Sequence, residues 1–586
     1  MSDGTANRAS DGAERADGAQ AGRTAGGHHG GPGDAVASDL LFAEAGGSRV
    51  ARLVPGLEAA RFAGALARRP RAVIRRGAAL ADELARIAIG RCDREPEQGD
   101  RRFDDAGWLE SPFFHRLMQA YLAVGRTVTG LIDDAELQWA DDRKARFIGE
   151  NLVDALAPTN FPWSNPEVMK RVIETGGLNF VAGARHFARD VSRPPRLPAN
   201  VDTDAFALGR NIALSPGAVV MRDERFELLQ YQPTSSEVRE IPLLIVPPMV
   251  NKFYIFDLAP QRSLIEYLVG RGQQVFIISW RNPSARHRDW GIDAYAGGVM
   301  DALDAVADIS EVEQANVIGN CAGGMLAAIV ASRLADIGEQ DRLATLTLGV
   351  CVIDNERGNV VNAFASERSA KLAALASSRK GYLDGRDLAS VFLWLRPNEL
   401  IWPYVVNNWL LGKDPRPFDI LYWNADTTRM PAALHREFLT IATHNLLKQP
   451  GAVTVLGSAV DLSQITVESY LVAGTADHIT PWKNCYRTTQ LLGGRKRFVL
   501  STSGHIAAII NPPGNKRASY RTAGALTPSS ADEWLDRASM NEGSWWTDWD
   551  AWLARRSGST RPAPQQLGSH RYAVLGEAPG EYVFET

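Results

Sequence analysis

Apolar residues in the second half of the chain fall into short runs that alternate with stretches of helical period. Runs at 226–231, 242–246, 274–280, 316–318, 343–353, 469–473 and 496–500, most of them containing β-branched residues and the rest aromatic or Leu-rich, read as strands. Helix-sized stretches at 263–271, 293–309 and 325–337 separate several of them. Such alternation predicts a largely parallel sheet covered by helices, over a unit spanning 216–586. A long aromatic-rich helical stretch, about 354–464, interrupts the rhythm between the fifth and sixth strands. An insertion of that size at the edge of a parallel sheet reads as a cap.

The first 215 residues differ. Residues 100–215 read as a mostly helical domain, with turn signals at 157–160 and 164–166. Residues 40–99 read as a basic amphipathic helical arm. Between 49 and 91 it carries ten Arg against three acids, Glu58, Asp82 and Glu83, and Pro55 and Pro70 break it into pieces. Its basic face is either solvated or a binding face for an anionic surface. Residues 1–39 hold nine Gly and nine Ala and no aromatic, Leu or Ile. They cannot bury enough apolar surface to offset ordering entropy and read as a disordered leader, in which His28 and His29 are simply solvated.

Composition narrows the class. Hydrophobic residues make up 45% and charged residues 23%, ordinary values for a folded protein. The 64 basic and 68 acidic residues leave a net charge of −4, which excludes a whole-chain electrostatic grip on nucleic acid. No run of 18 apolar residues predicts a transmembrane segment, and the N-terminus lacks the build of a secretory signal, so a cytoplasmic location is expected. Cys92, Cys321, Cys351 and Cys485 are too sparse for a disulfide framework, and no C-x-x-C pair suggests structural zinc.

The chemistry begins at 319–324. The strand at 316–318 runs into Gly319-Asn320-Cys321-Ala322-Gly323-Gly324, and a helix follows at once. This is G-x-C-x-G on a strand–turn–helix, a cysteine version of the nucleophile elbow. Glycine flanks let neighbouring backbone approach, and the helix N-terminus offers free N–H groups and a positive dipole end, a setting that favours a thiolate. A cysteine nucleophile needs a base, and the base an orienting acid. In the α/β-hydrolase arrangement these follow in the order nucleophile, acid, His, each in a loop after a later strand. The strand at 469–473 ends in Gly474-Thr475-Ala476-Asp477-His478, and that at 496–500 in Ser501-Thr502-Ser503-Gly504-His505. Asp477 and His505 are therefore the predicted acid and base; His478, adjoining the acid, suits the role of base less. The strand at 242–246 leads into Pro247-Pro248-Met249-Val250. In this architecture the backbone N–H groups of Val250 and Ala322 would form the oxyanion hole.

Further signatures accompany these residues. They include Pro158-Thr159-Asn160-Phe161, the stretch from Pro247 through Asn251-Lys252-Phe253-Tyr254 to Leu258, Ser279-Trp280-Arg281-Asn282-Pro283, Gly543-Ser544-Trp545-Trp546 and Ala578-Pro579-Gly580-Glu581-Tyr582-Val583. With the Cys321 box they resemble the polyhydroxyalkanoate synthase family, over roughly four-fifths of the chain. Asn320 departs from it, standing where an aromatic, aliphatic or small residue is usual. Stretches such as 285–291 and 418–429 lean toward the single-subunit synthases that take medium-length chains, without separating them from short-chain enzymes.

The resemblance implies an α/β-hydrolase fold with Cys321, Asp477 and His505 as catalytic residues. It implies (R)-3-hydroxyacyl-coenzyme A as substrate, a growing polyester chain as product, a dimeric active form and association with polyester granules, with no cofactor or metal. Asp477 could orient His505 or activate the 3-hydroxyl of the next unit. Trp394, Trp402, Tyr404, Trp409 and Trp423 could line a channel in the cap or merely pack it. The competing readings are a thioesterase or other hydrolase with a cysteine nucleophile, and a non-catalytic granule scaffold. An intact Cys321, Asp477 and His505 weighs against the scaffold.

Overall fold

The β-branched runs pair as their composition requires. The computed structural model describes residues 57–586 other than 98, 356–366, 478 and 526. Eleven of the described strands form one sheet. In chain order they are β1 (Gly217–Arg222), β2 (Phe226–Tyr231), β3 (Leu243–Val246), β4 (Val275–Trp280), β5 (Ala315–Asn320), β6 (Leu343–Gly349), β7 (Ser469–Gly474), β8 (Lys496–Ser501), β9 (Ser519–Thr522), β10 (Ser539–Glu542) and β11 (Gly576–Glu577). The spatial order is β10-β9-β8-β7-β6-β5-β3-β4-β2-β1-β11. From β8 to β4 the strands run parallel, and both flanks are antiparallel.

Every residue of β3, β4, β5 and β7 is buried, as expected where helices cover both faces. Side chains alternate between two cores. Leu244, Val246 and Val317 enter one, with residues of the helices Ile292–Ser310 and Ala322–Asp336; Leu243, Ile245 and Ile318 enter the other, with Leu264, Trp545 and Trp549. The expected strand at 343–353 is shorter. It stops at Gly349 because Val350 takes φ 43°, a left-handed conformation that turns the chain out of the sheet. β9 and the edge strand β10 carry no apolar alternation, since their residues are only partly buried or exposed, and nothing in their composition announces them.

The N-terminal region is helical: α1 (Leu57–Ala67), α2 (Pro70–Ala88), α3 (Gly107–Glu110), α4 (Pro112–Ala135), α5 (Trp139–Ala155), α6 (Pro166–Thr175) and α7 (Leu178–Ser192). Pro70 opens α2 at its first turn, where its missing N–H costs nothing. Asn165 caps α6 by accepting from the N–H groups of Glu167 and Val168 at 2.9 and 3.3 Å. The described part of the basic stretch is not a free arm. Arg61 pairs with Asp141 at 3.0 Å, and Arg75 and Arg76 reach Asp134 at 3.0 and 2.8 Å. Arg69 pairs with Glu136. Ile87 is buried, whereas Ile74 is 68% exposed, so the expected apolar stripe is only partly used. The leader, the first residues of the arm, His28 and His29 lie outside the described residues.

The cap lies between β6 and β7, and α7 grips it. A Cβ on Gly183 would lie 1.9 Å from the Trp409 carbonyl oxygen, so only glycine allows this approach. Asn179 Nδ2 donates to the Leu410 carbonyl at 2.7 Å, and Trp409 Nε1 to Asp190 at 2.9 Å. Among the described residues no helix is long and apolar enough to cross a membrane. Because α1 is tied to α5 and α2 to α4 by these pairs, deleting residues 1–91 should lower both the melting temperature and the solubility of the chain. Deleting 1–39 should leave both unchanged. Melting curves of the two truncations check this, and an unchanged midpoint in the 92–586 fragment would show that α1 and α2 add nothing to the body.

Candidate active site

β5 ends at Asn320 and the next helix starts at Ala322, so Cys321 alone makes the turn. It takes φ 51° and ψ −123°, a conformation costing about 1–3 kcal/mol for a residue with a Cβ. The turn is held by the Cys321 N–H, which donates to the Gly349 carbonyl at 2.8 Å. The glycines serve close approach. A Cβ on Gly319 would lie 2.5 Å from the Gly323 oxygen, one on Gly323 2.3 Å from the Val246 oxygen, and one on Gly324 2.9 Å from the Cys351 Cβ. The nucleophile turn is thereby pressed against the end of β3, where the Val250 loop begins.

Asp477 follows β7 and His505 follows β8. His505 opens a short helix, His505–Ile509, whose far end is fixed by two indoles. Trp545 Nε1 donates to the Ala508 carbonyl at 2.6 Å and Trp546 Nε1 to that of Ile509 at 2.9 Å. His505 Nδ1 lies 2.7 Å from Asp477 Oδ2. The same oxygen accepts from the Thr480 hydroxyl at 2.6 Å, while Oδ1 accepts from the N–H groups of Ile479 and Thr480, each at 2.8 Å. The Cys321 thiol lies close enough to His505 to favour the protonated imidazole. Three residues from three separate loops thus converge, the acid bonded to the imidazole and the thiol near it.

The electrostatics follow from this packing. Burial alone would push the His505 imidazole down. The Asp477 carboxylate outweighs it, helped by the thiol, and pushes His505 up to about 10. Burial favours a neutral Asp477, but the charge and hydrogen bond of His505, with the Thr480 donors, hold it below the usual carboxylate range. Burial pushes the Cys351 and Cys485 thiols up, which keeps them protonated and inert. Cys321 is only partly buried.

Val250 and Ala322 are both partly buried and pack beside the same core. Among the described residues neither N–H has a backbone acceptor, as a pair of donors reserved for a ligand oxygen requires. His478 lies outside the described residues. Thr480 and the Trp545–Trp546 pair were not legible as site residues. The only signal was the three-residue spacing from Asp477 to Thr480, which many turns share. In the cap, Trp409 and Trp423 pack; Trp423 is buried and its Nε1 donates to the Lys252 carbonyl at 2.8 Å.

The arrangement can draw a proton from the thiol and hold a carbonyl carbon before it. Asp477 strengthens His505 as the acceptor of that proton, so Asp477→Asn should weaken it. Alkylation of Cys321 by iodoacetamide at neutral pH should slow by about tenfold or more, and its pH profile should move upward. Cys321→Ala supplies the background from Cys92. The pair also couples to stability. The contribution of His505 is full below about pH 6.5 and is lost as pH rises toward about 10; that of Asp477 is present above about pH 3.8 and is lost on acidification. Melting temperatures across that range should therefore differ least between the parent and Asp477→Asn at alkaline pH.

Comparison with known proteins gives the family. The family model for the N-terminus of poly-beta-hydroxybutyrate polymerase (PhaC) matches residues 99–268, and that for the alpha/beta hydrolase fold matches 242–512. Poly(3-hydroxyalkanoate) polymerase 1 of Ectopseudomonas oleovorans is 42% identical over 503 residues, 86% of this chain and 89% of the relative. Polymerase 2 of the same organism is 43% identical, over 86% and 90%. The poly(3-hydroxyalkanoate) polymerase subunit PhaC of Cupriavidus necator is 40% identical, over 85% of each chain. Among solved structures, MenH from S. aureus aligns with 49% of this chain and 93% of its own at 14% identity and a TM-score of 0.31. With relatives this similar over nearly their whole length, and with the strand–turn–helix cysteine in its place, the chain belongs to the poly(3-hydroxyalkanoate) polymerases, enzymes of the α/β-hydrolase fold.

Proposed function

We propose that this polymerase carries the growing polyester on Cys321 and releases coenzyme A at each loading step. The observation that carries the reading is the Asp477–His505 contact of 2.7 Å, with the Cys321 thiol close enough to act on the same imidazole. His505 takes the thiol proton as sulfur attacks the carbonyl carbon of an (R)-3-hydroxyacyl-coenzyme A thioester. The oxyanion is held by the Val250 and Ala322 N–H groups. Collapse breaks the carbon–sulfur bond to coenzyme A, and His505 returns the proton to the leaving thiolate. Exchange between two thiols is nearly isoenergetic, so acyl-Cys321 stays activated for transfer, whereas a serine ester would be a sink. The 3-hydroxyl of an incoming 3-hydroxyacyl-coenzyme A then attacks acyl-Cys321, losing its proton to His505. The carbon–sulfur bond to Cys321 breaks, His505 returns the proton to the freed thiolate, and the lengthened chain, now a coenzyme A thioester, reloads on Cys321 by the first step.

The roles divide by access. All the acceptor capacity of Asp477 is directed at His505, Ile479 and Thr480, and its side chain has no exposure. We therefore read it as orienting His505 rather than taking the substrate proton directly. Proton transfer of this kind supplies about 10²–10⁴ in rate, and each oxyanion donor about 10²–10³. These groups supply what thioester exchange requires, and the reaction as proposed calls for no cofactor or metal. The cap would exclude water, which otherwise hydrolyses the acyl-enzyme. A dimeric active form and attachment to the polyester granule complete the reading.

Cys321→Ala should fold normally and release no coenzyme A above background from 3-hydroxybutyryl- or 3-hydroxyoctanoyl-coenzyme A. Free-thiol release with turbidity in the parent marks polymerisation, and soluble acid without turbidity marks a hydrolase. Thiol release by folded Cys321→Ala near the parent rate would remove the covalent mechanism. Rapid quenching of Asp477→Asn should show acylation and elongation slowed by similar factors. Slowed elongation with normal acylation would assign the hydroxyl proton to Asp477.

A further inference from the structure

The loop that carries Val250 is tied down immediately after it, residue by residue. Asn251 bridges to Thr427 of the cap by backbone pairing. The Lys252 carbonyl accepts from Trp423 Nε1 at 2.8 Å. The Lys252 side chain runs the other way, into the protein, and is 3% exposed. Its ammonium donates to the carbonyls of Val583 at 2.9 Å and Tyr582 at 3.5 Å, and to that of Glu585. All three acceptors belong to the last residues of the chain.

The tail is itself held on both sides. The N–H groups of Glu581 and Tyr582 donate to Glu227 Oε2, each at 2.9 Å, and Glu227 is a wholly buried residue of β2. The Glu585 carboxylate accepts from Arg281 Nε and from the Asn282 N–H, both at 3.1 Å, just beyond β4. Arg281 also lies 3.8 Å over the Tyr582 ring. A buried ammonium is tolerable only with its hydrogen bonds made, and here the tail carbonyls make them. Burial pulls the Lys252 ammonium below its usual range; Asp426 and Glu585 oppose this in part, and Arg429 adds to it.

We infer that Lys252 and the chain's own C-terminus form a clamp that sets the Val250 N–H in the oxyanion hole, making Lys252 and Glu585 positioning residues for acylation. The inference rests on the reading of Val250 as an oxyanion donor. The clamp reaches from β2 and β4, through the tail, to the residue two places from that donor. A donor displaced by a fraction of an ångström stabilises a developing oxyanion poorly but leaves the thiol and imidazole untouched.

The test separates the two. Lys252→Met keeps the length of the side chain and removes the donors; Lys252→Arg restores a cation; Glu585→Gln keeps the shape and weakens the anchor to Arg281. The acylation burst from 3-hydroxybutyryl-coenzyme A is compared with alkylation of Cys321 by iodoacetamide, which needs no oxyanion hole. Lys252→Met should slow acylation by about 10–100-fold with KM changed less than about threefold, and Glu585→Gln by a few-fold. Alkylation should stay within about twofold of the parent in both, and Lys252→Arg should recover part of the loss. Folded variants that acylate within about twofold of the parent overturn the clamp, and so does parallel loss of alkylation, which would mean general collapse of the site. Should Lys252→Met not fold, Glu585→Gln decides by the same criteria. A parent that gives no burst would instead overturn the covalent reading itself.

Discussion

A carboxylate taken out of water costs several kcal/mol unless charge and donors meet it, and Asp477 is buried with no side-chain exposure. The rest of the site can be understood as the means of meeting that cost. Two N–H groups of the turn after β7 and the Thr480 hydroxyl fix the carboxylate, and His505 supplies the counter-charge. His505 can do so only because its short helix is pinned by Trp545 and Trp546, which are buried in the core on one face of the sheet. The pair is thus a structural element as well as a chemical one. A buried ion pair missing one partner is worse than no pair at all, which ties the register of β7 and β8 to the chemistry.

The cysteine end obeys a second constraint, that of space. Three glycines within six residues let the turn approach the carbonyl of Val246, the side of Cys351 and its own backbone. That approach brings the first turn of the following helix beside the loop leaving β3. The two N–H groups proposed as oxyanion donors therefore come from segments pressed together by the same contact. The strain at Cys321, φ 51°, is sustained by the bond from its N–H to Gly349 on the neighbouring strand.

Segments far apart in the chain converge on these loops. The N-terminal helices grip the cap through Gly183, Asn179 and Asp190, the cap fastens the Lys252 loop through Trp423 and Thr427, and the final residues fasten it from beneath. None of the three is an appendage to a hydrolase core. Such a ring of contacts suits the proposed mechanism, in which water must be kept from an activated thioester through many transfers.

Local pattern determined a great deal. The alternation of β-branched runs and helical stretches specified a parallel sheet with helices on it, because a strand buried on both faces must be apolar throughout. The glycine-flanked Cys321, and Asp477 and His505 after later strands, were legible because an elbow imposes residue types at fixed places along the chain. Only the tertiary structure decided what holds them. The polar strands β9 and β10 carried no periodic signal. From sequence the basic stretch is an amphipathic arm with a solvated or surface-binding face, and only the structure shows acids on and just after α4 and on α5 pairing with it. Thr480 shows its role only by touching Asp477 and His505 together, and Lys252 only by reaching carbonyls 330 to 333 residues away. Backbone carbonyls look alike in every sequence, so a clamp built from them leaves no trace until the chain is folded.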